Sequence, residues 1–291
     1  MEYFLAQLTN GLAAGSIYAL IAIGYSMIFG VLQLINFAHG DIYMFGTFVA
    51  VTLLLWNVPA LLAIPLALAF GAALGMLVER VAYRPLRNAN RMVPTVSAIG
   101  AALILRNTAQ LIWGTFTVPF PLAIRAPTYQ VFGIGISGVQ VFVFCITAVL
   151  MLGFHWFVTR SLTGKAMRAV QQDADAAGYM GIPVNRIITL VYALGAALGV
   201  AGGILFAANY NTVFVLMGFT GTLKGFTAAV IGGIGNLQGA FLGGLLLGVI
   251  EALTAGYISS GYRDAIAFAA LILILLVRPQ GLLGTRRVNK V

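Results

Sequence analysis

Seven stretches of about 20 residues, near 8–30, 59–79, 93–113, 139–158, 187–208, 237–256 and 263–277, are almost wholly apolar. That length matches the hydrocarbon thickness of a bilayer when wound as a helix, and it is roughly twice what a barrel strand needs. A backbone in lipid has to satisfy its own hydrogen bonds, which leaves only helices and closed barrels. An all-α, polytopic transmembrane helical bundle is therefore expected. Hydrophobic residues make up 61% of the 291 and charged residues 8%, which excludes an ordinary water-soluble domain. The 35 glycines and 9 prolines predict discontinuous or re-entrant helices, because a loosened backbone survives in lipid only where neighbours or a water-lined cavity satisfy it.

Two further segments carry polar groups where lipid is expected. Segment 34–56 holds Asn36-Phe37-Ala38-His39-Gly40-Asp41, and segment 212–235 holds Lys224 between Gly221 and Gly225. Each either crosses or enters and turns back. Ionisable groups at that depth are costly, so they mark function or a firm structural need. Interrupted segments in both halves of a transporter point to a translocation site, since half-helix N-termini attract anions and free carbonyls attract cations. The candidate substrate pathway is therefore Asn36, His39, Asp41, Thr222 and Lys224. Each has a plainer reading: Asn36 and Asp41 cap broken helix ends, and Lys224 snorkels to an interface. No residue-by-residue match supports a repeat between the two halves.

The net charge of +9 does not indicate nucleic acid, because the basic residues form no soluble basic domain. They gather in three short connections: Arg80, Arg84, Arg87 and Arg91; Arg160, Lys165, Arg168 and Arg186; Arg278, Arg286, Arg287 and Lys290. The positive-inside rule places all three in the cytoplasm. Parity between the second and third then requires 212–235 to cross. The N-terminus faces outward if 34–56 crosses and inward if it is re-entrant. Glu2 and the missing basic n-region mark the first apolar segment as retained rather than cleaved.

Enzymatic constellations are missing from the sequence. His39 and His155 have no metal-ligand partner at helical spacing, so no metal site is expected, and His155 beside Trp156 reads as an interfacial anchor. No glycine-rich loop ends in a lysine suited to phosphate, so ATP, if used, is bound by another chain. The single Cys145 forms no intrachain disulfide. Glycines four apart at Gly11/Gly15, Gly71/Gly75, Gly195/Gly199/Gly203, Gly239/Gly243 and Gly244/Gly248 predict close helix approach. The outward connection 114–138, with Phe116, Pro119, Phe120, Pro121, Arg125 and Pro127, is either a docking surface or an extended cap.

The cytoplasmic connection 160–186 reads as a loop with one short helix from Gly164 to Ile182. Met167, Val170, Ala174 and Ala177 share a face, Asp173 and Asp175 project elsewhere, and Pro183 ends it. Such a helix lies on the membrane or docks in a partner's groove.

The run GLAAGSIYALIAIGYSMIFGVLQLINFAHGDIYMF from Gly11 to Phe45 resembles the opening of the inner-membrane permease subunits of high-affinity branched-chain amino acid ABC importers, the Liv type. The likeness continues through Met92-Val93-Pro94-Thr95 to Arg106-Asn107, through GGIGNLQGAFLGGLLLGVIEAL from Gly232, and into RPQGLLG from Arg278, with Leu283 where an aromatic is often found. The short length is similar to the smaller of the two permease paralogues. The resemblance implies a type II-like permease in the bacterial inner membrane, surrounded by lipid. It implies as partners a second paralogous permease, two ATP-binding subunits that hold ATP and Mg, and a periplasmic or extracellular substrate-binding protein. It makes the 160–186 helix the coupling element, with Met167, Val170, Asp173, Asp175, Ala177 and Gly181 as its contact residues. It leaves open the same architecture for urea, short amides or other amino acids. From other classes stand a secondary transporter with a proton relay through His39 and Asp41, and an uncoupled channel.

Overall fold

The computed structural model describes residues 2–87, 89–90, 92–122, 127–131 and 134–284. Arg91, Arg125, Arg286, Arg287 and Lys290 lie outside the described residues. Helix α1 (Glu2–Leu32) is the central post, buried continuously from Ala13 to Ile28. Around it lie α2 (His39–Leu55), α3 (Ala60–Val78), α4 (Met92–Trp113), α5 (Gly138–Arg160), α6 (Leu162–Gln172), α7 (Ala174–Tyr179), α8 (Val184–Tyr210), α9 (Met217–Gly232), α10 (Leu237–Tyr257) and α11 (Arg263–Val277). Seven helical segments among the described residues are long and apolar enough to span a membrane, and α2 and α9 are shorter than these.

Small residues set the interior. Gly11, Gly15 and Ala19 of α1 meet Gly244 and Gly248 of α10 so closely that a methyl on Gly15 would sit 2.8 Å from the Leu245 Cα. Gly71 and Gly75 of α3 play the same part against Val200 and Ala196 of α8. Without a hydrophobic drive between helices in lipid, backbone-to-backbone packing of this kind holds the bundle. Helices α4, α5 and α11 form an outer layer whose free faces carry the exposed apolar side chains Leu103, Ile104, Leu152, Ile272 and Leu273.

The described residues of the basic connections collect at one end, where Arg87 reaches Asn185 and Arg168 reaches Thr159. That end is cytoplasmic by the positive-inside rule. At the opposite end Trp113 donates to Thr52 Oγ1, and Tyr3 donates to the Gly256 carbonyl. Segment 34–56 therefore crosses, and the N-terminus lies on the outer side. The outer connection contains an unforeseen hairpin, β1 (Thr128–Val131) antiparallel to β2 (Ile134–Ser137), which runs directly into a capping box at Ser137 and Gln140 of α5.

Two sets of elements are related by inversion. The first is α1, a break, α2 and α3; the second is α8, a break, α9 and α10. Each break opens with a left-handed residue, Gln33 at φ 54° and Asn211 at φ 50°, and each half-helix begins six residues later, at His39 and Met217. Packing is reciprocal: α1 lies on α10 and α9, while α8 lies on α3 and α2. The repeat is thus architectural, and it has no visible counterpart in residue identity.

The cytoplasmic connection departs from expectation. One helix from Gly164 to Ile182 was predicted, but the structure breaks it at Asp173, whose side chain accepts from the Ala176 amide and starts α7. Extended backbone at Asp173 (φ −157°, ψ 108°) is incompatible with a continuous helix, and an aspartate there favours an N-cap over a helix interior.

Candidate functional site

The N-termini of α2 and α9 meet deep in the bundle. Gly40 lies against the Gly218 carbonyl and the Thr222 hydroxyl, with no room for a side chain between the two half-helices. Thr222 donates to the Gly218 carbonyl at 3.0 Å and is buried. His39 is fully buried between Gly24 and Gly199, its ring edge-on to Tyr25 at 4.6 Å. Asn36 accepts from the Ala38 amide at 3.1 Å and from Tyr83 Oη at 3.1 Å, so it closes the entry to α2. In this conformation Asn36 caps the entry to α2, Thr222 bonds within α9 and His39 is enclosed by its neighbours.

Asp41 is not an open anion. Arg106 of α4 grips it in a two-pronged bond, Nε to Oδ1 and Nη2 to Oδ2, both at 3.0 Å. The carboxylate side chain is 1% exposed, and Phe219 lies under the guanidinium at 5.2 Å. A planar guanidinium matched to a carboxylate is the form of ion pair best suited to a low-dielectric setting.

Lys224 is placed differently. It neither snorkels nor joins the Gly40–Thr222 junction; it bridges Glu251 of α10 at 2.9 Å and Asp264 of α11 at 3.0 Å. Arg263 donates to the same Glu251 at 2.7 Å, and Tyr18 of α1 donates to it at 2.9 Å. Lys224, Arg263 and Asp264 face a cavity of about 380 Å³ open toward the outer side.

The inverted counterpart stands at the basic end. Glu79, in the π-helical turn Glu79–Tyr83 that continues α3, is fully buried and accepts from Arg87 at 2.6 Å and from Thr189 of α8 at 2.9 Å. Burial pulls the Arg87 pKa below its ordinary value, and Glu79 opposes that pull. Each half thus holds one buried glutamate on its α3 or α10 helix, tied to the long helix of that packing pair. Arg106, Glu251, Arg263 and Glu79 were missed as site residues, although Arg106 and Glu251 are charges inside apolar runs, the signal already used for Lys224.

The coupling set divides. Met167, Val170 and Ala177 are buried in one apolar cluster with Met27, Ile28 and Ile187, so they anchor α6 and α7 to the bundle and offer no contact surface. Asp173, Asp175 and Gly181 are exposed, joined by Tyr179 and Met180, which are 90% and 83% exposed. Gly181 has φ +82° with open space around it, a turn conformation that favours glycine.

The family model described as branched-chain amino acid transport system / permease component matches residues 7–275. The chain belongs to this family. It is 43% identical to the high-affinity branched-chain amino acid transport system permease protein BraD of Pseudomonas aeruginosa, over 99% of this chain and 98% of that one. It is 39% identical to the permease protein LivH of Escherichia coli K12 over the same shares. Among solved structures it is similar to PsaBC from Streptococcus pneumoniae in complex with Fab, at TM-score 0.45 and 14% identity, covering 96% of this chain and 91% of that one. This permease is a multi-pass membrane protein, and the family descriptions correspond to the resemblance read from its motifs.

Proposed function

We propose that this permease forms one half of the translocation pathway of an ATP-driven importer for branched-chain or other hydrophobic amino acids in the bacterial inner membrane. A second, paralogous permease completes the pathway, two ATP-binding subunits holding ATP and Mg act from the basic end, and a soluble binding protein delivers substrate from outside. The observation that carries the reading is the pair of inverted half-helices meeting at Gly40 and Gly218, because two breaks at matching positions create one movable junction at mid-depth. The relatives named for branched-chain amino acid transport supply the cargo. The exposed Tyr179 and Met180 supply the coupling surface: large apolar groups projecting from a polar connection suit a groove on an ATPase.

Proteoliposomes carrying this chain, its paralogue and the ATPases, with the binding protein outside, test the reading. Labelled leucine accumulates when ATP is supplied inside and does not when it is withheld. Uptake that survives without ATP and collapses with the proton gradient overturns the reading in favour of a secondary transporter. Passive equilibration by this chain alone overturns it in favour of a channel.

A further inference from the structure

The outer cavity carries an unusual balance of charge. Lys224 and Arg263 supply two cations, and Glu251 and Asp264 two anions, so the cluster is neutral as it stands. The four are not equivalent. Glu251 is fully buried and holds both cations from behind, whereas the Asp264 side chain is 66% exposed and touches Lys224 from the cavity side. Ile17, Ile21 and Phe206 line the same cavity and give it an apolar wall. Its volume of about 380 Å³ is at the small end of the range for small-molecule sites.

We propose that this cavity is a landing site for a free zwitterionic amino acid with an aliphatic side chain: its carboxylate takes the place of Asp264 on Lys224 beside Arg263, Asp264 accepts its ammonium group, and its side chain lies on Ile17, Ile21 and Phe206. The proposal rests on the importer reading above. Its physical basis is an exchange of partners. One ion pair opens, two form around a neutral guest, and Glu251 stays put as the fixed counter-charge. A guest lacking its carboxylate leaves a surplus cation at the cluster, and one lacking its ammonium leaves a surplus anion. Lys224 is largely buried, so the surplus cation left by a guest without a carboxylate is disfavoured, whereas the exposed Asp264 is rehydrated and a guest without its ammonium loses only the second, weaker ion pair. Because the entering carboxylate displaces an existing partner, net affinity is low, as a pathway that must release its cargo requires.

Thiol labelling of the reconstituted importer tests this. Cys145 is replaced by serine to clear the background, and a reporter is placed at Thr212→Cys or, on the other wall, Thr220→Cys. A methanethiosulfonate reagent is added from outside, and ATP-driven leucine uptake is measured on the same preparation. Leucine at roughly ten times its dissociation constant slows labelling about tenfold. Leucinol, which lacks the carboxylate, leaves the rate unchanged, and 4-methylpentanoate, which lacks the ammonium, binds about fivefold more weakly than leucine. Asp264→Asn removes the ammonium acceptor and the competitor for Lys224 together, so it abolishes the preference for leucine over 4-methylpentanoate. With Asp264 in place, equal protection by either half-charged analogue overturns the zwitterion match. No protection at either reporter, in a preparation that accumulates leucine with ATP, overturns the site and leaves the importer reading intact. Protection by leucine without ATP-driven uptake supports the site and counts against the importer reading alone.

Discussion

Replacing Gly40 with alanine tests the half-helix junction directly. An added methyl falls on the Gly218 carbonyl and the Thr222 hydroxyl and lies 2.7 Å from the Thr222 amide. Two of these three obstacles are backbone, so no rotamer change clears them and α2 has to move away from α9. Overpacking of a tight interior costs about 1–3 kcal/mol, and rigid backbone obstacles put this site near the upper end. Alanine's helix preference returns up to roughly 1 kcal/mol, leaving a net loss of about 2 kcal/mol. Gly100→Ala on α4 and Gly153→Ala on α5 meet nothing within 4 Å and retain the whole benefit. The same chemical change is therefore expected to have opposite signs. With a melting shift of about 2–4 °C per kcal/mol for a chain of this class, the gap between Gly40→Ala and either control is roughly 6–12 °C. Thermal unfolding of the purified permease in nanodiscs reads it, and Thr222→Ala rescues less than half, since the Gly218 carbonyl remains. A Gly40→Ala protein as stable as Gly100→Ala refutes the junction.

Asp41→Asn and Arg106→Gln each strand one charge of a buried pair and cost about 3–5 kcal/mol singly. The double change costs clearly less than the sum, and additivity in a thermodynamic cycle counts against the pairing. Asp173→Ala removes the cap of α7 and about 1 kcal/mol of local stability, so amide exchange over residues 174–179 quickens about fivefold; unchanged exchange there means the cap is idle. Tyr179→Ala combined with Met180→Ala leaves the unfolding temperature unaltered, because both side chains are exposed, while ATP-driven uptake falls at least roughly tenfold, about 1.4 kcal/mol of lost coupling. Full uptake in that variant removes the coupling surface from α7.

What was legible in the sequence followed from lipid. Apolar run length locates every long helix to within a few residues except the outer start of α1, because a membrane imposes one length and one polarity on every span. The two interrupted segments were also visible, since Asn36 to Asp41 and Lys224 violate that polarity. Whether 34–56 crosses was not visible: the answer lies in Trp113 reaching Thr52, a contact 61 positions apart. Partner choice among charges was equally hidden. Asp41 and Lys224 stood out as charges placed at a cost, but Arg106, Glu251 and Asp264 reach them from other helices, and only packing reveals the pairs. The coupling connection shows the opposite limit. Its apolar period was real, yet that period faces the chain's own bundle, and one aspartate with extended backbone sufficed to split the helix.

The pairing of Asp41 with Arg106, and of Lys224 and Arg263 with Glu251 and Asp264, leaves no net charge at these two ion clusters. Carrying one elementary charge through a membrane potential is worth about 2.3 kcal/mol per 100 mV. On the proposed pathway the zwitterion itself carries none, so an energised cell membrane neither pulls that cargo inward nor holds it back. Uptake through such a pathway keeps the same direction and the same driving energy in a depolarised cell as in a polarised one.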